Sequence, residues 1–114
     1  MDKVISLNRN GQFQRLYKKG KSIVAPSMVV YVKRNGLDIN RLGITASKKI
    51  GKAVARNRAK RRIRELYRSN LSRFKKGYDF VIVARTKTVF VSHEVLSETF
   101  LTAADKLGVL NEQN

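Results

Sequence analysis

The sequence contains no cysteine and no tryptophan, a single proline, Pro26, and a single histidine, His93. Without cysteine there is no disulfide and no thiolate chemistry, and one histidine cannot assemble the usual Cys/His zinc site. Acids are scarce too: eight Asp and Glu stand against 25 Lys and Arg, for a net charge of +17. Two-metal hydrolysis needs carboxylates gathered around the ions, and these lie far apart. Only Glu94 and Glu98 share a helix face, at an i,i+4 spacing typical of a solvated surface. His93 has no motif around it and reads as a surface residue at a helix start. Ser47, beside Lys48 and Lys49, lacks the glycine spacing of a nucleophile elbow or a phosphate loop. No catalytic residue and no metal ligand are expected. The longest apolar runs, Met28 to Val32 and Phe80 to Ala84, are strand-length and far too short to span a bilayer, and the N-terminus lacks an apolar signal core. A cytoplasmic protein with no membrane partner is expected.

What the chain does have is enough apolar material, 42% of 114 residues, to form one hydrophobic core. No repeat, low-complexity tract or long linker divides it, so residues 1–114 read as a single domain. A charge of +17 makes the compact state repel itself and favours an acidic partner. That charge is uneven: Arg41 to Lys76 holds fourteen Lys and Arg against one acid, Glu65, whereas Thr88 to Asn114 holds Lys106 against Glu94, Glu98, Asp105 and Glu112. The binding face belongs to the middle of the chain.

Periodicity predicts a first helix from Asn10 to Lys19, with Phe13, Leu16 and Tyr17 on one face and Gly20 as its stop. A β-rich stretch, Ser22 to Arg34, is broken at Pro26 and holds the stronger strand Met28 to Lys33. Asn35-Gly36 signals a hairpin to a partner strand, Arg41 to Ser47, in which Gly43 marks a bulge or a close backbone approach. After a basic loop, Lys48 to Lys52, a long helix is predicted from Ala53 to Phe74. Its apolar face is Ala55, Ala59, Ile63, Leu66 and Tyr67, and its outer face is basic. Tyr78 to Arg85 reads as a buried central strand. A closing helix runs from Ser92 to Leu107, capped by Ser92, with Val95, Phe100 (or Leu96), Ala103 and Leu107 inward. The order α-β-β-β-α-β-α indicates an α+β sandwich, one sheet with helices against it.

Lys48 to Arg64 carries nine cations in seventeen residues and no carboxylate. Merely solvated helices intersperse both signs, so this run points to nucleic acid. Phe13 and Tyr17 on the first helix and Tyr31 on a strand can line one groove where unpaired bases stack. For Phe13, core packing and the groove stand equally open. Tyr17 and Tyr31 suit the groove better, since a hydroxyl prefers a wet boundary.

The segment Arg56-Asn57-Arg58-Ala59-Lys60-Arg61-Arg62-Ile63-Arg64-Glu65 resembles the RNR signature of the bacterial ribonuclease P protein family. Phe13 to Gly20 is similar to that family's first helix, Arg41 to Val54 to its strand and loop before the RNR helix, and Tyr78 to Arg85 to its last strand. The resemblance implies a four-stranded sheet with a left-handed β-α-β crossover like that of a ribosomal-protein domain, against the usual right-handed preference. It implies an endonuclease whose RNA subunit removes the 5′ leader of precursor tRNA using Mg2+, with no cofactor held by the protein and no obligate protein partner. By the same resemblance Phe13, Tyr17 and Tyr31 form the leader groove, with a tyrosine at position 17 where phenylalanine is frequent. Lys48, Lys49, Lys52, Arg56, Asn57, Arg58, Lys60, Arg61, Arg64 and Arg68 would meet the RNA subunit and substrate phosphates. A ribosomal or other structural RNA-binding protein would suit the charge, size and layout equally; a nuclease acting without RNA would not.

Overall fold

The run YDFVIVA, buried or half-buried throughout, forms a central strand of a four-stranded sheet. The computed structural model describes residues 4–112. In chain order the elements are α1 (Asn10–Lys19), β1 (Lys21–Val24), β2 (Met28–Arg34), β3 (Arg41–Thr45), α2 (Ala53–Arg68), β4 (Tyr78–Ala84), α3 (Thr86–Phe90) and α4 (His93–Lys106). The sheet order is β1-β2-β4-β3, with β1/β2 and β2/β4 antiparallel and β3/β4 parallel. The expected α+β class and four strands are present, and α2 is the crossover between the parallel pair.

The pairing departs from expectation at β3, whose partner is β4 and not β2. The turn after Asn35-Gly36 therefore spans an intervening strand. Its polar side chains show why β4 fits there. Arg41 donates from Nε and Nη2 to the two carboxylate oxygens of buried Asp79, at 2.8 Å each, and Asn35 Nδ2 donates to Asp79 at 2.9 Å. The Tyr78 N–H donates to Asn40 Oδ1 at 2.9 Å, so both ends of the turn grip the start of β4. The Asp79 hydrogen bonds hold the Arg41 guanidinium pKa above its usual value. Gly77 beside them has φ +93, and a Cβ there would stand 2.9 Å from the Leu37 carbonyl oxygen.

Alternation along the strands sends Met28, Val30, Val32, Leu42, Phe80 and Ile82 to one face. There they pack with Ile63, Leu66 and Tyr67 of α2 and Leu96, Phe100 and Ala104 of α4 in the main core. Val95, expected inward on α4, is instead 48% exposed, and Leu96 takes the buried place. The other face carries a smaller core, Leu7, Leu16 and Val81, with Phe13, Tyr31 and Val83 half-buried against it. α1 lies on this second face.

The RNR-like helix is shorter than expected, ending at Arg68, because side chains take over its last carbonyls. Ser69 Oγ and Asn70 Nδ2 both donate to the Leu66 carbonyl, at 3.1 and 2.8 Å, the competition that makes Ser and Asn helix terminators. A 3₁₀ turn, Leu71–Arg73, then swings Phe74 into a cluster with Tyr67, Phe80 and Phe100, ring centroids 5.0–5.8 Å apart. Burying a Phe ring stabilises by about 1.5–3 kcal/mol, against roughly 0.5–1.5 kcal/mol for a helical hydrogen bond, so packing decides. α3, absent from the sequence-based order, is five residues long, too short for periodicity to reveal.

Candidate nucleic-acid interface

Phe13, Leu16 and Tyr17 lie on the sheet-facing side of α1, while Lys18 and Lys19 occupy its last turn, where cations suit the helix dipole. Leu16 is buried and anchors the helix. Phe13 rests on the backbone of Gly43: a Cβ at that position would stand 2.6 Å from two carbons of the ring. This is the close approach the glycine signalled, and no bulge is needed. Phe13 thus both packs on the small core and leaves part of its ring open. Tyr17, 36% exposed, meets half-buried Tyr31 edge-to-face, centroids 5.0 Å apart at 75°. In register beside Tyr31 and Val81, the row Val29, Val83 and Thr45 is half-buried, so α1 covers this face only in part. The result is a groove with aromatic walls over a floor of Val29, Val83 and Thr45.

The basic residues are held on a separate, rigid frame. Ser47 Oγ accepts the Lys49 N–H and opens a 3₁₀ turn, Lys48–Ile50, whose Ile50 is buried while Lys48 and Lys49 point outward. Lys52 is exposed at the start of α2, and half-buried Arg56 donates to the Gly51 carbonyl at 3.1 Å, tying the turn to the helix. Asn57, Arg58, Arg61 and Arg64 are exposed and Lys60 is half-buried. Arg68 is exposed and bound by Glu65 one turn back, a contact that holds the Glu65 carboxyl below its usual range. Its charge is therefore locally compensated.

Arg62 stands apart from its neighbours. Its guanidinium donates to the carbonyls of Thr88, Val89 and Val91 at 2.8, 3.0 and 2.6 Å, fastening α3 to α2. Helical spacing sets it beside the apolar face, i+3 from Ala59 and one turn before Leu66, apart from outward Arg61, and the contact shows what it does there. The N-terminal segment was silent in the sequence. Leu7 N–H donates to the Leu42 carbonyl and Leu42 N–H to that of Ile5, at 2.9 and 2.8 Å, so the segment lines the outer edge of β3. Between it and α2 lies a cleft of about 130 Å³ bordered by Leu7, Phe13, Gly43, Lys60 and Arg64. The aromatic groove and the basic helix, predicted separately, meet at that cleft. Among the described residues no group of three or more His, Asp or Glu could hold a metal ion, and no helix is long and apolar enough to cross a membrane.

Comparison with known proteins agrees with this arrangement. The family model described as Ribonuclease P matches residues 1–108. The ribonuclease P protein component of Alkaliphilus oremlandii is 38% identical over 111 residues, covering 97% of each chain. That of Clostridium acetobutylicum is 43% identical over 106 residues, 91% of this chain and 89% of the relative. The Staphylococcus aureus RNase P protein superposes with a TM-score of 0.83 at 34% identity, over 96% of this chain and all of that one. The Thermotoga maritima protein does so at 0.77 and 36%, covering 85% and 92%. With a family match across nearly its whole length, and relatives and solved structures similar over most of it, the chain belongs to the ribonuclease P protein family.

Proposed function

We propose that this chain works in the cytoplasm as the protein partner of a ribonuclease P RNA in removing the 5′ leader of precursor tRNA. The single-stranded leader lies in the groove of Phe13, Tyr17 and Tyr31. The turn at Lys48 to Lys52 and the outer face of α2 meet the RNA subunit and the substrate backbone. The observation that carries this reading is the cleft where Lys60 and Arg64 border the same space as Phe13. A strand whose bases stack in the groove has its phosphates next to fixed cations.

Stacking on an aromatic side chain is worth about 1–3 kcal/mol per base and tolerates any sequence, which suits leaders that differ from one tRNA to the next. Mature tRNA has no leader to stack, so the groove favours substrate over product. The cations act differently: each phosphate neutralised releases counterions, so their contribution fades as salt rises. The described residues offer no carboxylate set for a divalent ion. We assign the hydrolysis and its Mg2+ to the RNA, and to the protein the task of binding leader and RNA while reducing phosphate repulsion. Cleavage of precursor tRNA by the RNA alone and with the protein, compared at low Mg2+, tests this. The protein should lower the Mg2+ needed and favour leader-bearing substrate; a rate indifferent to protein would sink the proposal.

A further inference from the structure

Of the five Phe and four Tyr, only Tyr17 and Phe90 are exposed, and Phe90 far more so, at 77%. A lone apolar side chain on a surface is ordinary. The setting of Phe90 is not. It ends α3, a helix of five residues that could not persist alone, yet α3 is fixed from both sides. Buried Thr88 accepts the Arg85 N–H at 2.9 Å and donates its hydroxyl to the Ser27 carbonyl. Arg62 withdraws one cation from the basic helix to hold the carbonyls of Thr88, Val89 and Val91. The ring is thus presented from a rigid support.

Positive charge flanks it. Lys87, exposed, stands three residues before Phe90 and so on the same side of α3. Arg58, also exposed, stands one turn before Arg62 on the helix to which α3 is fastened. The site is also distinct from the cleft where groove and basic helix meet: Lys60 and Arg64 border that cleft, whereas α3 is held at Arg62 and neither Lys87 nor Phe90 lines it.

We propose that Phe90 is a second stacking site, taking an unpaired base of the RNA subunit on its open face while Lys87 and Arg58 neutralise the adjoining phosphates. The proposal rests on the functional reading above. A backbone already fixed on both sides loses little freedom on binding, so more of the stacking energy is retained in affinity.

The absence of cysteine makes the test clean, since Phe90→Cys introduces the only thiol for an azidophenacyl photocrosslinker. In the complex with the RNA subunit, crosslinks should fall on unpaired nucleotides of that RNA, with or without precursor tRNA. At fixed salt, Phe90→Ala should weaken RNA-subunit binding by about five- to a hundredfold, Phe90→Leu nearly as much, and Phe90→Trp hardly at all. Melting temperature and the preference for precursor over mature tRNA should stay unchanged in all three. Equal affinity of wild type and Phe90→Ala, or crosslinks confined to precursor tRNA, would overturn this inference alone. Failure of the wild-type chain to bind the RNA subunit would overturn the functional reading as well.

Discussion

Gly43 shows how one missing side chain shapes the groove. With a Cβ 2.6 Å from two carbons of the Phe13 ring, Gly43→Ala forces the ring off β3. Precursor tRNA binding should weaken by up to about the 1–3 kcal/mol of one stacked base, while mature tRNA binding stays the same. Paired affinity measurements check this, and equal losses would remove Phe13 from the leader path. Tyr67 makes a different point. Its side chain is buried in the aromatic cluster and its hydroxyl has no hydrogen-bond partner among the described residues. Burial pushes the phenol pKa well above its ordinary value. The folded state therefore keeps the proton that the unfolded chain gives up near pH 10. The resulting stability is complete below about pH 10 and is lost as pH rises beyond it. Tyr67→Phe removes both the stranded hydroxyl and the ionisation. It should melt no lower than wild type at pH 7 and decline less steeply above about pH 10. A lower melting temperature at pH 7 would show that the hydroxyl is satisfied.

On α2, neighbouring cations serve unlike purposes. Arg62→Ala loses three hydrogen bonds that fasten α3 and should cost roughly 1.5–3 kcal/mol in denaturant unfolding. Arg61→Ala, at an exposed position, should leave stability within about 0.5 kcal/mol and instead flatten the salt dependence of RNA binding by about one unit of slope. If Arg61→Ala destabilises and Arg62→Ala does not, the two roles are reversed. These differences bound what the sequence can disclose. α1 matches its predicted span, Asn10 to Lys19, because its stop is local: a Cβ on Gly20 would meet the Leu16 carbonyl oxygen at 2.6 Å. The end of α2 was missed because Ser69 and Asn70 compete for one carbonyl, and apolar spacing carries no trace of that. The Asn35-Gly36 signal describes a turn but not which strands flank it, and β4 enters from some forty residues later to pair with both. The groove residues and most of the basic face were legible as types and spacings. Their meeting at the cleft beside Phe13 was not, since it depends on the order of strands and on the N-terminal segment. The hand of the crossover came from resemblance alone.

For the molecule as a whole, the charge of +17 sets opposite salt dependences for the free and the bound protein. Asp79 and Glu65 are occupied with Arg41 and Arg68, so two of the few acids already serve local contacts. The remaining positive charge repels itself over a screening length of about 10 Å at 0.1 M salt and about 3 Å at 1 M. Added salt should therefore raise the melting temperature of the free chain. A bound RNA supplies the counter-charge directly and, at a hundred times its dissociation constant, should stabilise the fold by about 2.7 kcal/mol. That increment depends on counterion release and must shrink as salt rises. Melting curves with and without the RNA subunit should thus differ widely at low salt and converge at high salt, with the free protein moving up and the RNA-dependent gain falling. Curves that stay parallel across the salt series would mean that the basic face contributes little to binding of the RNA subunit, and that Phe90 holds that complex largely by stacking.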